Sequence, residues 1–172
     1  MPQALQPLWR IIELHGGWKM DFWDWAGRGI FLLYLAVLSV WDIRGRTVPL
    51  YLLIFGGLFD LGIVAASVIA EPQNAGRILI GAFLGLLPGL ILVAIAIFSG
   101  KAGIADGVVL AELGIRESYL VAIAAWGIGS LLLAIVCGIL LCIRRVKKTT
   151  RMPYIPFLAA GLVGTTLLQL GG

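Results

Sequence analysis

Residues 77–99 read RILIGAFLGLLPGLILVAIAIFS, and after Arg77 this run holds no charged side chain. A helix rises about 1.5 Å per residue, so roughly 20 apolar residues cross the ~30 Å hydrocarbon core of a bilayer. The stretch is therefore predicted to be a membrane span. Working outward, four more stretches meet the same requirement: 25–42, 49–70, 118–143 and 153–171. A sixth, at about 103–116, is short and carries Asp106 and Glu112. Composition agrees: of 172 residues 60% are hydrophobic and 13% charged, and the mean hydropathy is +1.02. A soluble domain is nearer half apolar and a quarter charged. The expected fold class is all-α, a polytopic membrane helical bundle of about six transmembrane helices with a short fourth helix.

Loop charges orient this arrangement. If 103–116 crosses and the N-terminus lies outside, the inside loops hold Arg44, Arg46, Lys101, Arg144, Arg145, Lys147, Lys148 and Arg151. The outside loops then hold only Arg77 and Arg116, and the N-terminal tail and outer end of the first span hold Arg10, Lys19 and Arg28. If 103–116 does not cross, the run RRVKKTTR (144–151) falls opposite Arg44 and Arg46. The excess of Lys and Arg in cytoplasmic loops selects six spans. The net charge of +4 is thus an orientation signal. No nucleic-acid partner is expected; membrane lipid is.

Residues 1–24 do not read as a secretory signal, because Arg10, Glu13, His15, Lys19, Asp21 and Asp24 interrupt them and no cleavage site follows a clean apolar run. Their mixture of Trp with polar side chains suits the membrane interface. The domain expectation is an interfacial segment at 1–24 and a transmembrane domain at 25–172. Cys137 and Cys142 lie on one apolar segment without a metal or redox spacing, and lone His15 has no partner pattern. No metal and no cofactor are expected. Gly81, Gly85 and Gly89 on one span, and Ala134 and Gly138 on another, repeat every four residues and predict close helix packing. Pro88 predicts a kink.

Two acids stand out. Asp42 falls at the cytoplasmic end of the first span and Asp106 near the cytoplasmic start of the fourth. An acid within a membrane span is costly and is by default a hypothesis about function. Two at matched depth can share a proton and activate water, as an aspartic protease does. Asp60 lies mid-span, roughly 16 Å from that end by helical rise. It is expected to hydrogen-bond within the bundle or line a wet cavity. Glu112 and Arg116 are spaced for an i, i+4 pair.

Three segments surround these acids: SVWDIRGRTVPLYLL about Asp42, FSGKAGIADGVVLAELG about Asp106, and RMPYIPFLAAG at the start of the last span. Together they resemble the type IV prepilin peptidase family of leader peptidases. That family sets one aspartate shortly before a Val/Ile-Pro pair, matched by Asp42 with Val48-Pro49. It sets the second in a Gly-x-Gly-Asp motif shared with presenilin-like proteases, matched by Gly103-Ile104-Ala105-Asp106. Its last span opens with a Pro-Phe-Gly-Pro-Phe-like sequence, matched by Pro153-Tyr154-Ile155-Pro156-Phe157. The likeness runs from about 25 to 171. Ala105 departs from the family glycine, and Val108 stands where lysine is common. The four-Cys zinc segment of larger members is absent, so N-methyltransferase activity is not implied.

The resemblance implies a membrane aspartic endopeptidase with catalytic Asp42 and Asp106. Pro49, Gly103, Ala105, Gly107, Pro153 and Pro156 would support the site or the substrate. The implied partner is a type IV prepilin-like precursor, cut just before its apolar helix at the cytoplasmic face of the cell (inner) membrane. The roles of acid and base stay unassigned between the aspartates, and the oligomeric state stays open. Two other readings also stay open: a small transporter or proton-relay subunit using Asp42, Asp60 and Asp106, and an inactive peptidase-like protein that holds pilin precursors.

Overall fold

A computed structural model describes residues 22–45, 47–99, 103–143 and 152–171. Residues 1–21, Gly100, Ala102, and the loop charges Arg46, Lys101 and 144–151 lie outside the described residues. So does most of the expected interfacial segment. The described chain is helical: α1 (Phe22–Gly45), α2 (Leu50–Ala70), α3 (Ala75–Ser99), the short α4 (Ile104–Arg116), α5 (Tyr119–Cys142) and α6 (Ile155–Gly171). A single 3-10 turn, Pro72–Asn74, joins α2 to α3.

Contacts divide the chain into two units, Met1–Tyr34 and Leu35–Gly172, with the boundary inside α1. In the first, the rings of Phe31 and Tyr34 meet at 5.8 Å between centroids. The second holds the rest of α1 and the other five helices.

The second unit is a helical bundle. Three of its segments, Leu50–Ala70, Pro72–Ser99 and Tyr119–Cys142, are long and apolar enough to cross a membrane. Their large apolar side chains, Phe55, Leu58, Phe83, Ile97 and Leu131 among them, face outward. An aqueous protein rarely exposes so continuous an apolar surface. The chain is therefore a membrane protein. The apolar helix at Ile155–Gln169 is shorter.

The short α4 sits at the centre. Gly107 and the unbroken run Val109–Gly114 are buried, so burial extends around the helix rather than along one stripe. Helices α2, α3, α5 and α6 all pack on it. A helix too short to meet lipid along a full crossing is thereby surrounded by protein.

Glycine makes the closest of these contacts possible. A Cβ on Gly85 would overlap the Gly114 carbonyl, and one on Gly89 would overlap Ala111. From the other side, a Cβ on Gly107 would come within 2.6 Å of Val93 Cγ2 and 2.7 Å of its backbone nitrogen. Pairing 85 with 114, 89 with 111 and 93 with 107 makes α3 and α4 antiparallel. Pro88 is buried in this seam, inside a helix that continues from 75 to 99.

The expected glycine stripes need correction at three positions. Gly81 has open space where its Cβ would stand, so the seam on α3 starts one turn later. On α5 the expected pair, Ala134 and Gly138, is exposed, and a Cβ on Gly138 would stand in open space. The close approach is about two and a half turns earlier, at Ala125 and Gly129. A Cβ on Gly129 would reach 2.6 Å from the Phe157 carbonyl, and one on Gly161 would overlap the Ala125 carbonyl. The four-residue spacing was the right signal, but it recurs on both the protein-facing and the outward-facing sides of α5.

Candidate functional site

The described part of α1 after Tyr34 buries Leu35, Leu38, Ser39 and Asp42. These fall at i, i+3, i+4 and i+7, one face of a helix. Asp42 thus continues the apolar stripe that points into the bundle, and only 8% of it is exposed. Ser39 satisfies its buried hydroxyl by donating to the Leu35 carbonyl at 2.7 Å.

Asp42 stands three residues before the end of α1, where the carbonyl end of a helix disfavours an anion. Another helix compensates. The Ile155 N–H donates to Asp42 Oδ2 at 3.1 Å, and the Tyr154 N–H also donates to this carboxylate. Tyr154 is the residue before α6, and its own carbonyl accepts from Phe157 and Leu158. Asp42 therefore acts as the N-cap of a helix that begins more than a hundred residues later. Pro156 lies in the first turn of α6, where its missing N–H costs no helical bond. Pro153 and Pro156 flank the two donors, and both are half-buried.

Asp106 is the third residue from Gly103, the N-cap of α4. Its carboxylate bends back to accept from the Gly103 N–H. This is the returning half of a capping box. It needs the glycine: a Cβ on Gly103 would lie 2.7 Å from Asp106 Oδ2. Gly103 is exposed, Ala105 and Asp106 are half-buried and Gly107 is buried. The smallness of Gly107 lets Val93 of α3 pack closely against it. Pro49 caps the start of α2 in an extended conformation, and the Leu52 N–H bonds to its carbonyl.

Asp106 lies within electrostatic range of the Asp42 carboxylate. The end of α1 and the starts of α4 and α6 thus meet at one end of the bundle. Tyr154 belongs to this group and was missed as a functional candidate, although it stands between the two prolines. It lies within electrostatic range of Asp106. Its hydroxyl lies 3.2 Å from Ser130 Oγ and 3.3 Å from the Trp126 carbonyl, both on α5. One residue thus gives a backbone donor to Asp42 and anchors its side chain on a neighbouring helix.

Asp60 is not part of this group. It hydrogen-bonds within the bundle, as expected, and its partner is Arg116, with Nη1 3.2 Å from Oδ1. The guanidinium also stacks over the Phe59 ring at 5.7 Å. Among the described residues no group of His, Cys, Asp and Glu has the makings of a metal site. Cys137 and Cys142 are free thiols. Compared with family models, curated proteins and solved structures, the chain matches no family model, no curated protein and no solved structure.

Proposed function

We propose that this chain is a membrane aspartic endopeptidase that removes the leader from type IV prepilin-like precursors. The observation that carries it is the meeting of two acids from distant segments at one end of a membrane bundle, beside the Pro-x-x-Pro start of α6. A structural acid needs one partner. Here each carboxylate already has its own backbone donors, yet the charge of Asp42 reaches Asp106.

In the proposed reaction one carboxylate takes a proton from water, and the resulting hydroxide adds to the scissile carbonyl carbon. The other carboxyl, protonated, gives its proton to the carbonyl oxygen. The tetrahedral adduct then collapses. The carboxyl that took the proton from water gives it to the amide nitrogen as the C–N bond breaks, and the other carboxylate takes back a hydroxyl proton of the adduct, leaving a free acid and a free amine. Gly103 sets where the Asp106 carboxylate points, and the N–H groups of Tyr154 and Ile155 set that of Asp42. No cofactor takes part.

The proposed topology is six crossings of the cell (inner) membrane, with this end of the bundle at the cytoplasmic face. The excess of Lys and Arg in the loops at that end supports this. The precursor presents a basic leader on that side and an apolar helix to the lipid. It is cut at the junction.

The test is co-expression with a prepilin-type precursor, comparing the wild type with Asp42→Asn, Asp106→Asn and Asp60→Asn. Cleavage lost in the first two and kept in the third is the expected result. Equal loss at Asp60 would instead favour a proton or solute path through the membrane. No cleavage by folded wild type across several precursors would leave a binding protein.

A further inference from the structure

Tyr154 ties Asp42 to a helix that carries no acid. Its backbone N–H donates to the Asp42 carboxylate, as the Ile155 N–H does at 3.1 Å. Its side chain runs the other way. Only 9% of the residue is exposed, and the hydroxyl ends on α5, where it donates to the Trp126 carbonyl at 3.3 Å. A phenol has one proton to give, so Ser130 is the donor in the 3.2 Å contact between Ser130 Oγ and the phenolic oxygen. Trp126 and Ser130 are four apart on α5, so a single helical turn clasps the hydroxyl from both ends.

The start of α6 depends on contacts from outside the helix. Ile155 opens it, yet Ile155 stands before Pro156, and a residue before proline prefers an extended backbone. The first N–H groups of a helix have no acceptor within it. Those of Tyr154 and Ile155 go to Asp42, and the turn that carries them is held from the opposite side by α5. Two contacts do this. At Gly129 a Cβ would reach 2.6 Å from the Phe157 carbonyl, so this notch sets how closely the two helices pack. The clasped hydroxyl is directional and sits at the N-cap, so it sets how the first turn is rotated. That rotation aims both N–H groups.

We propose that Tyr154 is a positioning residue for the acid pair: its hydroxyl, clasped by Trp126 and Ser130, fixes the first turn of α6 and through it the place of the Asp42 carboxylate. The effect on rate rests on the peptidase reading; the hold on Asp42 does not. Helix α5 thereby enters the scaffold of the site.

The test is Tyr154→Phe, which keeps the ring and both N–H groups. One readout needs no substrate. Tyr154-Ile155 is the one Tyr-Ile pair in the sequence, and no Phe-Ile pair occurs in it. Carbonyl-labelled Tyr (Phe in the variant) with nitrogen-labelled Ile therefore gives a single NMR signal, the Ile155 amide. Its hydrogen exchange is expected to quicken about 3- to 10-fold in Tyr154→Phe, the worth of one hydrogen bond, with Asp42→Ala supplying the unprotected rate. On a prepilin-type precursor kcat is expected to fall roughly tenfold while KM stays within about twofold. Ser130→Ala should shift both readouts the same way by less, and should add nothing to Tyr154→Phe. It keeps the phenol, so it separates the clasp from direct action on Asp106, in whose electrostatic range Tyr154 lies. It also carries the test if Tyr154→Phe fails to fold. Wild-type exchange and cleavage in the variants overturn the proposal. Faster exchange with unchanged kcat overturns it too, since the clasp would then aim no working acid. So does faster exchange spread evenly along α6 in a fully labelled chain, the mark of a structural contact alone. If the wild type cleaves no precursor while Ile155 exchange still quickens in the variant, the peptidase reading falls and the hold on Asp42 is upheld.

Discussion

Gly103→Ala isolates the position of one carboxylate. Gly103 has φ −81° and ψ 132°, a region open to every L-residue, so alanine strains no backbone there. Its methyl group would lie 2.7 Å from Asp106 Oδ2 and 3.2 Å from Cγ, whereas ordinary contact begins at 3.4 Å. The oxygen must therefore retreat by about 0.7 Å (3.4 less 2.7). That movement takes it off the Gly103 N–H. Losing one such bond at a half-buried helix start costs about 0.5–1.5 kcal/mol of stability. Catalysis is more sensitive, because a misplacement near 1 Å costs on the order of a hundredfold. Cleavage of a prepilin-type precursor is expected to fall roughly 10- to 100-fold, with unfolding in mixed detergents shifted only by that ~1 kcal/mol. A variant that cleaves at the wild-type rate would refute the idea that Gly103 sets a working Asp106. Loss of folding in proportion to loss of cleavage would refute it as well.

Three more outcomes follow from the same contacts. Asp42→Asn keeps an oxygen for the Ile155 N–H and should leave stability within about 1 kcal/mol while abolishing cleavage, whereas Asp42→Ala should lose a further ~1 kcal/mol as the cap of α6 disappears. Gly85→Leu and Gly89→Leu should each destabilise by about 1–3 kcal/mol or more, because backbone stands where the side chain must go. Gly81→Leu and Gly138→Leu, facing open space, should stay within ~0.5 kcal/mol in the same unfolding assay. Asp60→Ala and Arg116→Ala should each cost roughly 3–5 kcal/mol, and the double variant should cost less than their sum, a coupling read from a double-mutant cycle.

The helical bundle was legible because the apolar runs are long and the loops between them short. The arrival of Asp42 and Asp106 at one end follows from counting those runs. What the residues could not show is rotation about each helix axis. Spacing by four marks a face on α3 and on α5, but Gly81 and Gly138 obey that spacing while facing open space where a Cβ would stand. For Asp42 a signal was available, since Leu35, Leu38, Ser39 and Asp42 follow a helical face and point the acid inward. The donors from Tyr154 and Ile155 had no such signal, because a distant N–H that caps another helix leaves no local pattern. Arg116 reads equally well as a partner for Glu112 by spacing. Only the packing of α2 against α4 brings it to Asp60.

The tie between Asp42 and the start of α6 has a consequence for biogenesis. Asp42 and Asp106 are both synthesised and inserted before the segment that begins at Pro153. Until α6 packs onto the bundle, Asp42 has neither of its N–H donors, and α5 lacks the helix that fills the notch at Gly129. A nascent chain paused before that point would carry both acids without the scaffold that aims one of them. Completion of the site is thus coupled to the arrival of the last described helix.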